Sequence, residues 1–309
     1  MAEHYLGSDA PHYSWDNSLE PKLTIDSGDT VTIHSRDAGD GFISWDTEVE
    51  DLGQREFKGH ALTGPIAIRG AEPGDTLQVE VVSLQPGDLG YTTFAPGRGL
   101  LPEDFEGAFL QKWDLTKDPT PFRPGIAVPL EPFLGVMGTA RAEDGSFSTG
   151  PPTANGGNMD VKQLVEGSTL YLPVSVPGAL FSCGDGHAAQ GDGEVCITAI
   201  ETSMTSVLRF TLIKGWSVPE PQFKTAGPLT PRTNDGAWYA TTGHSPDLLE
   251  ASRAAVRHMI DYLVRVHELT REEAYILCSV AVDLKVSEVV DAPNWIVTAF
   301  LPDSIFVDG

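Results

Sequence analysis

The segment from residue 68 to residue 83 reads IRGAEPGDTLQVEVVS and places a Gly-Asp-Thr turn before alternating apolar and polar residues. Its apolar side chains recur at every second position, at Leu77, Val79 and Val81. This is the period of a half-buried β-strand. Two further segments have the same strand pattern after a similar turn: residues 23–35 (LTIDSGDTVTIHS), and residues 164–176 (LVEGSTLYLPVSV), in which the turn is Gly-Ser-Thr. The three segments predict the antiparallel strands of a β-sandwich or barrel.

Helical patterns begin only near the carboxyl end of the chain. The 32 glycines and 23 prolines favour short strands through roughly the first 240 residues. Ser245, followed by Pro246, then predicts the start of a helix that continues to about His267. A capping box at Thr270 predicts a second helix over residues 272–282, and a final strand follows at residues 296–301.

These patterns predict a mainly β fold with a smaller α/β part, in which β-sandwich and barrel-like modules precede a C-terminal two-helix segment and strand. Within it, Asn158 is predicted to cap a short helix that reaches Leu164, and residues 195–201 are predicted to form a strand. We divide the chain into four segments that pack as one unit: an N-terminal β module (1–85), a loop-rich connecting or flap region (86–157), a second β module (158–242) and a C-terminal α/β part (243–309).

The charge of the chain excludes several classes of partner. Its 309 residues include 20 Lys and Arg against 44 Asp and Glu, which gives a net charge of -24. Such a surface repels phosphate backbones and anionic membranes, so we expect neither a nucleic-acid nor a membrane partner. A small neutral substrate would experience no such repulsion.

The cysteines and the N-terminus indicate the compartment. Cys183, Cys196 and Cys278 are the only cysteines and contain no Cys-x-x-Cys spacing, which favours a reducing environment. The N-terminal residues lack the basic and apolar regions of a signal peptide, and no window reaches 18 apolar residues. We therefore expect a cytoplasmic protein.

Residues 182–194, SCGDGHAAQGDGE, contain two copies of Gly-Asp-Gly, one followed by His187 and the other by Glu194. In an extended backbone, residues two apart share a face, so Asp185 would lie beside His187 and Asp192 beside Glu194. The glycines permit a ligand to approach the backbone closely. Converging carboxylates need a divalent cation or a shared proton to relieve their repulsion. The alternative is a pair of ordinary Asp-Gly turns between strands.

Several motifs together resemble the acetamidase/formamidase family over nearly the whole chain. They are Asn158-Met159-Asp160, residues 170–174 (LYLPV), 178–181 (GALF) and the 184–194 block, and other parts agree: Trp15-Asp16, 35–38 (SRDA), 63–66 (TGPI), 74–76 (GDT) and 281–284 (AVDL). The resemblance implies hydrolysis of a short aliphatic amide to a carboxylate and ammonia. It also implies a mostly β fold with a small α/β portion, in a homo-oligomer for which a dimer is the simplest expectation. Two residues depart from the family pattern, His34 and Cys183.

The chemistry of amide hydrolysis indicates a metal site. An amide needs an activated nucleophile, stabilisation of the oxyanion and a proton for the leaving amine. The sequence has no Gly-x-Ser-x-Gly elbow, whereas a divalent metal ion would activate water and polarise the carbonyl. Candidate ligands are Asp37, Asp160, Asp185 and His187, a set that suits zinc, manganese or calcium, with zinc or calcium as the expected cofactor.

The remaining polar residues of the block are candidates for proton transfer and orientation. Glu194 is the expected general base and proton carrier, acting together with His187. Gln190 and Asp192 are expected to orient the substrate or water.

Two alternatives stay open on the sequence. Cys183 lies four residues before His187, and a thiolate with an imidazole can act as a nucleophilic pair. A protein of another class, a non-catalytic β-sandwich that binds calcium or a carbohydrate, would also suit an acidic glycine-rich loop, although the spacing is not that of an EF-hand.

Overall fold

The computed structural model describes residues 1–54, 58–229 and 236–307, and most of its regular structure is strand. The helices are α1 (Leu248–His267) and α2 (Arg271–Ala281), and 3-10 turns occupy Val49–Gln54 and Asp303–Ile305. The strands are, in chain order, β1 (Glu3–Leu6), β2 (Ser14–Trp15), β3 (Leu23–Ile25), β4 (Thr30–Ser35), β5 (Thr63–Ile68), β6 (Thr76–Pro86), β7 (Leu89–Phe94), β8 (Phe109–Asp114), β9 (Thr120–Arg123), β10 (Ile126–Val128), β11 (Phe133–Gly138), β12 (Phe147–Ser148), β13 (Gly156–Asn158), β14 (Thr169–Pro173), β15 (Phe181–His187), β16 (Glu201–Thr202), β17 (Met204–Ile213), β18 (Gln222–Lys224), β19 (Trp238–Ser245), β20 (Asp283–Glu288) and β21 (Trp295–Pro302).

Two large open sheets form the body of the protein. One has six strands in the order β1-β4-β17-β6-β14-β18. The other has eight, with β13-β11-β15-β16-β7-β8 as its main order and with β5 and β3 attached beside β15. β1 pairs with β4 and β3 with β5 in parallel, and the other pairs within these sheets are antiparallel. The six-stranded sheet thus unites strands from residues 1–86 and from residues 169–224.

The two sheets pack face to face through their alternating apolar side chains. One buried cluster contains Ile33, Val79 and Phe210 from the six-stranded sheet together with Met137 and Phe181 from the other. Each of these side chains is almost fully buried, which contributes roughly 1.5–3 kcal/mol for a large apolar side chain. The predicted sandwich and the inward positions of its strands are confirmed.

The C-terminal part adds a helical layer on a three-stranded sheet, β19-β21-β20. Helix α1 begins after Asp247, whose carboxylate accepts the N–H groups of Leu249 at 2.7 Å and Glu250 at 3.1 Å. The predicted start at Ser245 is therefore two residues early. The capping box of α2 is present as predicted, between Thr270 and Glu273. Over the described residues, neither helix has the length and the hydrophobicity that crossing a bilayer requires.

Two local predictions are wrong, each because of backbone conformation. Asn158 ends β13, and Asp160 has a φ of 50°, so no right-handed helix starts there. Only the end of the strand predicted at residues 195–201 is a strand, β16, because Ile197 has a φ of 81° within a turn. Residues 86–157, expected to be a loop-rich connecting or flap region, carry the short strands β7 to β12 joined by irregular connections. The division of the chain into four segments stays a prediction.

Candidate active site

The first Gly-Asp-Gly copy lies on β15, in the interior of the eight-stranded sheet. β15 pairs with β11 and with β16, so His187 lies opposite Glu201 of β16. Asp185 has a φ of 57°, yet its Oδ1 lies 3.5 Å from Nε2 of His187. Both side chains are buried. The structure therefore brings this predicted pair together.

Asp160 joins the pair from the segment that follows β13. A ligand atom of each of Asp160, Asp185 and His187 lies within 4.8 Å of the others. Gly135 of β11 makes room for them, since a Cβ there would lie 2.6 Å from Oδ1 of Asp160 and 2.9 Å from Oδ2 of Asp185. A side chain at residue 135 would occupy the space between the two carboxylates.

Two glutamates complete the group around the imidazole. One ligand atom of each of His187, Glu194 and Glu201 also lies within 4.8 Å of the others. Nε2 of His187 is 3.2 Å from Oε2 of Glu201, whose other carboxylate oxygen accepts the N–H of Ala199 at 3.0 Å. The structure thus brings Glu194 to the site as predicted. The sequence analysis missed Glu201, whose only signal is its position opposite His187 in a strand pair.

Gln190 fixes the orientation of the imidazole. Its Nε2 donates to the carbonyl of Asp160 at 2.8 Å, which turns Oε1 towards Nδ1 of His187 at 3.0 Å. Because Oε1 can only accept, Nδ1 must carry the proton and Nε2 is directed at the carboxylates. Gln190 is therefore a positioning residue for His187.

His60 is a second histidine that the sequence analysis missed. Its Nε2 lies 3.8 Å from Oδ2 of Asp185, and its Nδ1 lies 3.1 Å from the hydroxyl of Thr149. It reaches the site from the segment before β5. No local motif marks it, because it meets Asp185 only through the folded chain.

The buried charges shift one another's pKa values in opposite directions. Burial raises the pKa of Asp160 to about 6 and that of Glu201 to about 8. Burial and the neighbouring Asp160 raise the pKa of Glu194 well above its usual range. Burial alone would raise the pKa of Asp185 as well, but the charges of His60 and His187 hold it below its usual range.

The pKa of His187 is shifted in the opposite direction to that of Asp185. Burial lowers its pKa, but the charges of Glu201 and Asp185 outweigh burial and raise that pKa well above its usual value. Widely separated pKa values among neighbouring groups are typical of sites that carry acid and base chemistry.

Several buried polar atoms of the site lack a hydrogen-bond partner among the described residues: Oδ1 of Asn158, Asp160 and Asp185, Nε2 of His187 and Oε2 of Glu201. Buried polar atoms are nearly always paired, so a group of unpaired ones indicates a ligand or an ion. The donor set of carboxylates and one imidazole fits a divalent cation.

The acidic group forms the floor of a cavity of about 460 Å³. Asn158, Asp160, Asp185, Glu194 and Glu201 line its polar part. The rest of the lining includes the apolar side chains of Leu52, Phe94 and Ile197 together with polar side chains such as that of Arg98. The cavity therefore presents apolar surface as well as the acidic group, which is the usual composition of a small-molecule site.

Two predicted residues lie elsewhere. The carboxylate of Asp37 accepts the N–H groups of Gly39 at 2.6 Å and Gly41 at 3.1 Å, and the hydroxyl of Tyr91 at 3.0 Å. Asp192 binds Gln163 at 3.2 Å, outside the acidic group. Neither carboxylate belongs to the acidic group or lines its cavity. The metal-ligand role expected of Asp37 and the orienting role expected of Asp192 stay predictions.

The two residues that depart from the family pattern are not part of the acidic group. Cys183 packs in the core between the sheets, and burial raises the pKa of its thiol to about 12, which disfavours the thiolate needed for nucleophilic attack. The ring of His34 packs against Tyr5, with the ring centroids 5.3 Å apart. Cys196 and Cys278 are also buried, as their apolar surroundings in the sequence indicate.

Comparison with known proteins identifies the family. The model of the Acetamidase/Formamidase family matches residues 6–146 and 141–308, so the chain belongs to this family. A formamidase of Methylophilus methylotrophus is 27% identical over 96% of this chain and 89% of its own length. A γ-lactamase from Delftia acidovorans has a TM-score of 0.89 at 28% identity, covering 97% of this chain and 90% of the other. An acetamidase from Bacillus halodurans has a TM-score of 0.69 at 32% identity, covering 96% and 97% of the two chains.

Membership in this family makes the protein an amide-hydrolysing enzyme. A non-catalytic calcium- or carbohydrate-binding β-sandwich, the alternative of another class, is therefore set aside.

Proposed function

We propose that the protein hydrolyses short aliphatic amides, such as formamide or acetamide, to the carboxylate and ammonia. The observation that carries this proposal is the convergence of Asp160, Asp185 and His187, with unpaired buried atoms, beside two glutamates at the floor of one cavity. Water adds its oxygen to the acyl carbon, the C–N bond breaks, and the nitrogen leaves as ammonia after receiving a proton.

Asp160, Asp185 and His187 would hold a divalent cation. A cation with such ligands supplies Lewis acidity, which lowers the pKa of water towards about 7 and polarises a carbonyl group. The imidazole favours zinc over calcium, whose protein ligands are oxygens. Gln190 keeps Nε2 of His187 directed at this position through its bond to Nδ1.

Glu194 is placed to carry the proton. It lines the cavity and lies beside His187, so its carboxylate can take a proton from the attacking water and deliver it to the leaving nitrogen. The unpaired oxygen of Asn158 lines the same cavity and can accept an N–H of the amide. Glu201 lies opposite His187 on the paired strand, with Oε2 3.2 Å from Nε2, and adds a carboxylate next to the same position.

The test measures ammonia release from formamide and acetamide together with elemental analysis of the protein. We expect activity to disappear after dialysis against a chelator and to return with zinc. Full activity in protein that elemental analysis finds free of metal would reject the cation. Absence of ammonia release by metal-loaded, folded protein from either amide would reject the substrate class.

A further inference from the structure

Ile197 occupies a backbone conformation that isoleucine rarely adopts. Its φ is 81°, and a β-branched residue in this region is a true outlier that costs on the order of 1–3 kcal/mol. Its side chain is nevertheless 47% exposed, so burial of that side chain offsets little of this cost. Glycine or asparagine would suit the position better. The strain therefore calls for a role of the side chain itself.

Neighbouring contacts hold Ile197 in place from both sides. Its N–H donates to the carbonyl of Glu194 at 2.8 Å, which closes a turn directly after the proposed proton carrier. On the far side, the hydroxyl of Thr198 donates to the carbonyl of Thr93 at 2.7 Å and accepts the N–H of Thr93 at 2.9 Å. These bonds fix where the isoleucine side chain projects.

That side chain lies on the wall of the cavity that holds Asp160 and Glu194. Leu52 and Phe94 line the same cavity, and Phe94 is held by its ring contact with Phe105, with the centroids 4.8 Å apart. The apolar wall is thus partly rigid. An exposed apolar surface beside a polar site is a common feature of binding sites for ligands with an apolar part.

The volume of the cavity also favours a ligand with an apolar part. Acetamide has four non-hydrogen atoms, which fill on the order of 120 Å³ if each takes the roughly 30 Å³ of a liquid water molecule. The cavity measures about 460 Å³. An acetyl group bound at the acidic floor would leave most of the apolar wall uncovered.

We propose that Ile197, Leu52 and Phe94 form a subsite for the acyl group of the substrate. In this subsite Ile197 is a specificity-determining residue. The preferred substrates are uncharged primary amides whose acyl chain is longer than acetyl. This inference rests on the proposed amide hydrolysis and extends it, because it concerns which amide is hydrolysed fastest. The acyl chain of the substrate covers the side chain of Ile197, and the amide group remains beside the acidic group.

The experiment compares kcat/KM for formamide, acetamide, propionamide and butyramide. In the natural protein we expect kcat/KM to rise from acetamide to butyramide. Ile197→Ala and Ile197→Gly should lower the ratio of kcat/KM for butyramide to that for acetamide by roughly tenfold, mostly through KM, as removal of apolar contacts in a pocket does. Ile296→Ala is the matched control, since Ile296 is 37% exposed on β21 and does not line the cavity.

Thermal unfolding separates this role from a structural one. Glycine relieves the strain at residue 197, so Ile197→Gly should keep the Tm of the natural protein or raise it. A lower Tm with an unchanged butyramide-to-acetamide ratio would assign Ile197 to folding and overturn the proposal.

The outcomes also separate the inference from the proposed function. Release of ammonia from none of the amides would reject amide hydrolysis itself. A kcat/KM that does not increase with the length of the acyl chain would reject the subsite alone. So would an unchanged butyramide-to-acetamide ratio of kcat/KM in both Ile197 variants. Succinamate, an amide with a carboxylate, is assayed alongside, and its faster hydrolysis than that of butyramide would assign the wall to Arg98, which also lines the cavity, and would overturn the role of Ile197.

Discussion

The two Gly-Asp-Gly copies have the same residues at three positions, but their aspartates have different environments. In the first copy, Asp185 lies at the cavity floor beside His187. In the second, Glu194 reaches the cavity, whereas Asp192 binds Gln163 and lies apart from it. A repeated motif therefore does not predict a repeated geometry.

The difference arises from what surrounds each copy. The first is a strand, β15, with neighbours on both sides. The second is a loop that lies against the start of β20, where the N–H of Asp192 donates to Asp283 at 3.0 Å and the carbonyl of Asp192 accepts the N–H of Leu284 at 2.9 Å. The backbone at Asp185 is itself not extended, since its φ is 57°, so the pairing of β15 with β11 and β16, and not the spacing along the chain, places Asp185 and His187 together.

The largest expected effect on kcat/KM distinguishes Asp185 from Asp192. Asp185→Asn removes a charged ligand from the proposed cation site, so kcat/KM for the best amide should fall by about 100- to 1000-fold, as loss of a central electrostatic group does. Elemental analysis should show less bound metal. Asp192→Asn is the matched control and should retain kcat/KM within about threefold, a surface-like effect of under 1 kcal/mol. Equal losses in the two variants would show that the copies act alike.

Glu194→Gln should have the next largest effect. Glutamine keeps the shape of the side chain but cannot accept and release a proton, so kcat should fall by roughly a hundredfold. The metal content should stay at the level of the natural protein, which distinguishes this variant from Asp185→Asn. A kcat close to that of the natural enzyme would remove Glu194 from proton transfer.

Substitution of Asp283 tests whether its contact with Asp192 holds the second Gly-Asp-Gly copy in place. This buried carboxylate forms an ion pair with Lys162 as well as accepting the N–H of Asp192, and removing one partner of a buried pair typically costs about 3–5 kcal/mol. Asp283→Leu, which removes both the charge and the acceptor, should therefore lower the free energy of unfolding in urea. It should also lower kcat by on the order of tenfold, because the loop that carries Glu194 shifts.

A double variant separates these two consequences. Lys162→Met with Asp283→Leu leaves no unpaired charge, so much of the stability should return. The anchor for the N–H of Asp192 would still be missing, and kcat should stay low. Recovery of kcat together with stability would mean that the loop keeps its place without this anchor.

The smallest effect is expected at Cys183. Because its thiol packs in the core, Cys183→Ala should cost about 1 kcal/mol of stability and leave most of the amidase activity. Complete inactivity of a folded, metal-loaded Cys183→Ala protein, with an acyl-enzyme trapped in the natural one, would instead favour covalent catalysis.

The sequence predicts the parts of the fold that depend on local patterns. The alternation in β4 and β6 and the capping box at Thr270 specify their structures through nearby residues, and the structure has them. Residue 160 illustrates the limit: the positive φ of Asp160 depends on its place beside Gly135 and β15, so a local pattern predicted a helix there instead.

The candidate site shows the same division. Asp160, Asp185, His187, Gln190 and Glu194 occur in conspicuous motifs, and the structure assembles them. His60 and Glu201 have no motif, since they meet Asp185 and His187 only through strand pairing and long-range packing. Asp37 lies in a family motif, but its neighbours Gly39, Gly41 and Tyr91 bind it, which spacing along the chain cannot reveal.

The contact between the second Gly-Asp-Gly copy and β20 has a consequence for the order in which the enzyme becomes active. Gly191 lies so close to Val282 that a Cβ at residue 191 would be 2.1 Å from the carbonyl oxygen of Val282. The N–H of Gly191 donates to the carbonyl of Ser279 at 2.8 Å. On the ribosome, domains fold as their residues emerge, starting from the N-terminus. The sandwich and the first copy can therefore assemble on a nascent chain, while the loop that carries Glu194 lacks its contacts with residues 279–284 until these residues have been synthesised. Catalysis would begin only after that late segment has docked, and a nascent chain that stops short of it would have the proposed cation site without the proposed proton carrier in place.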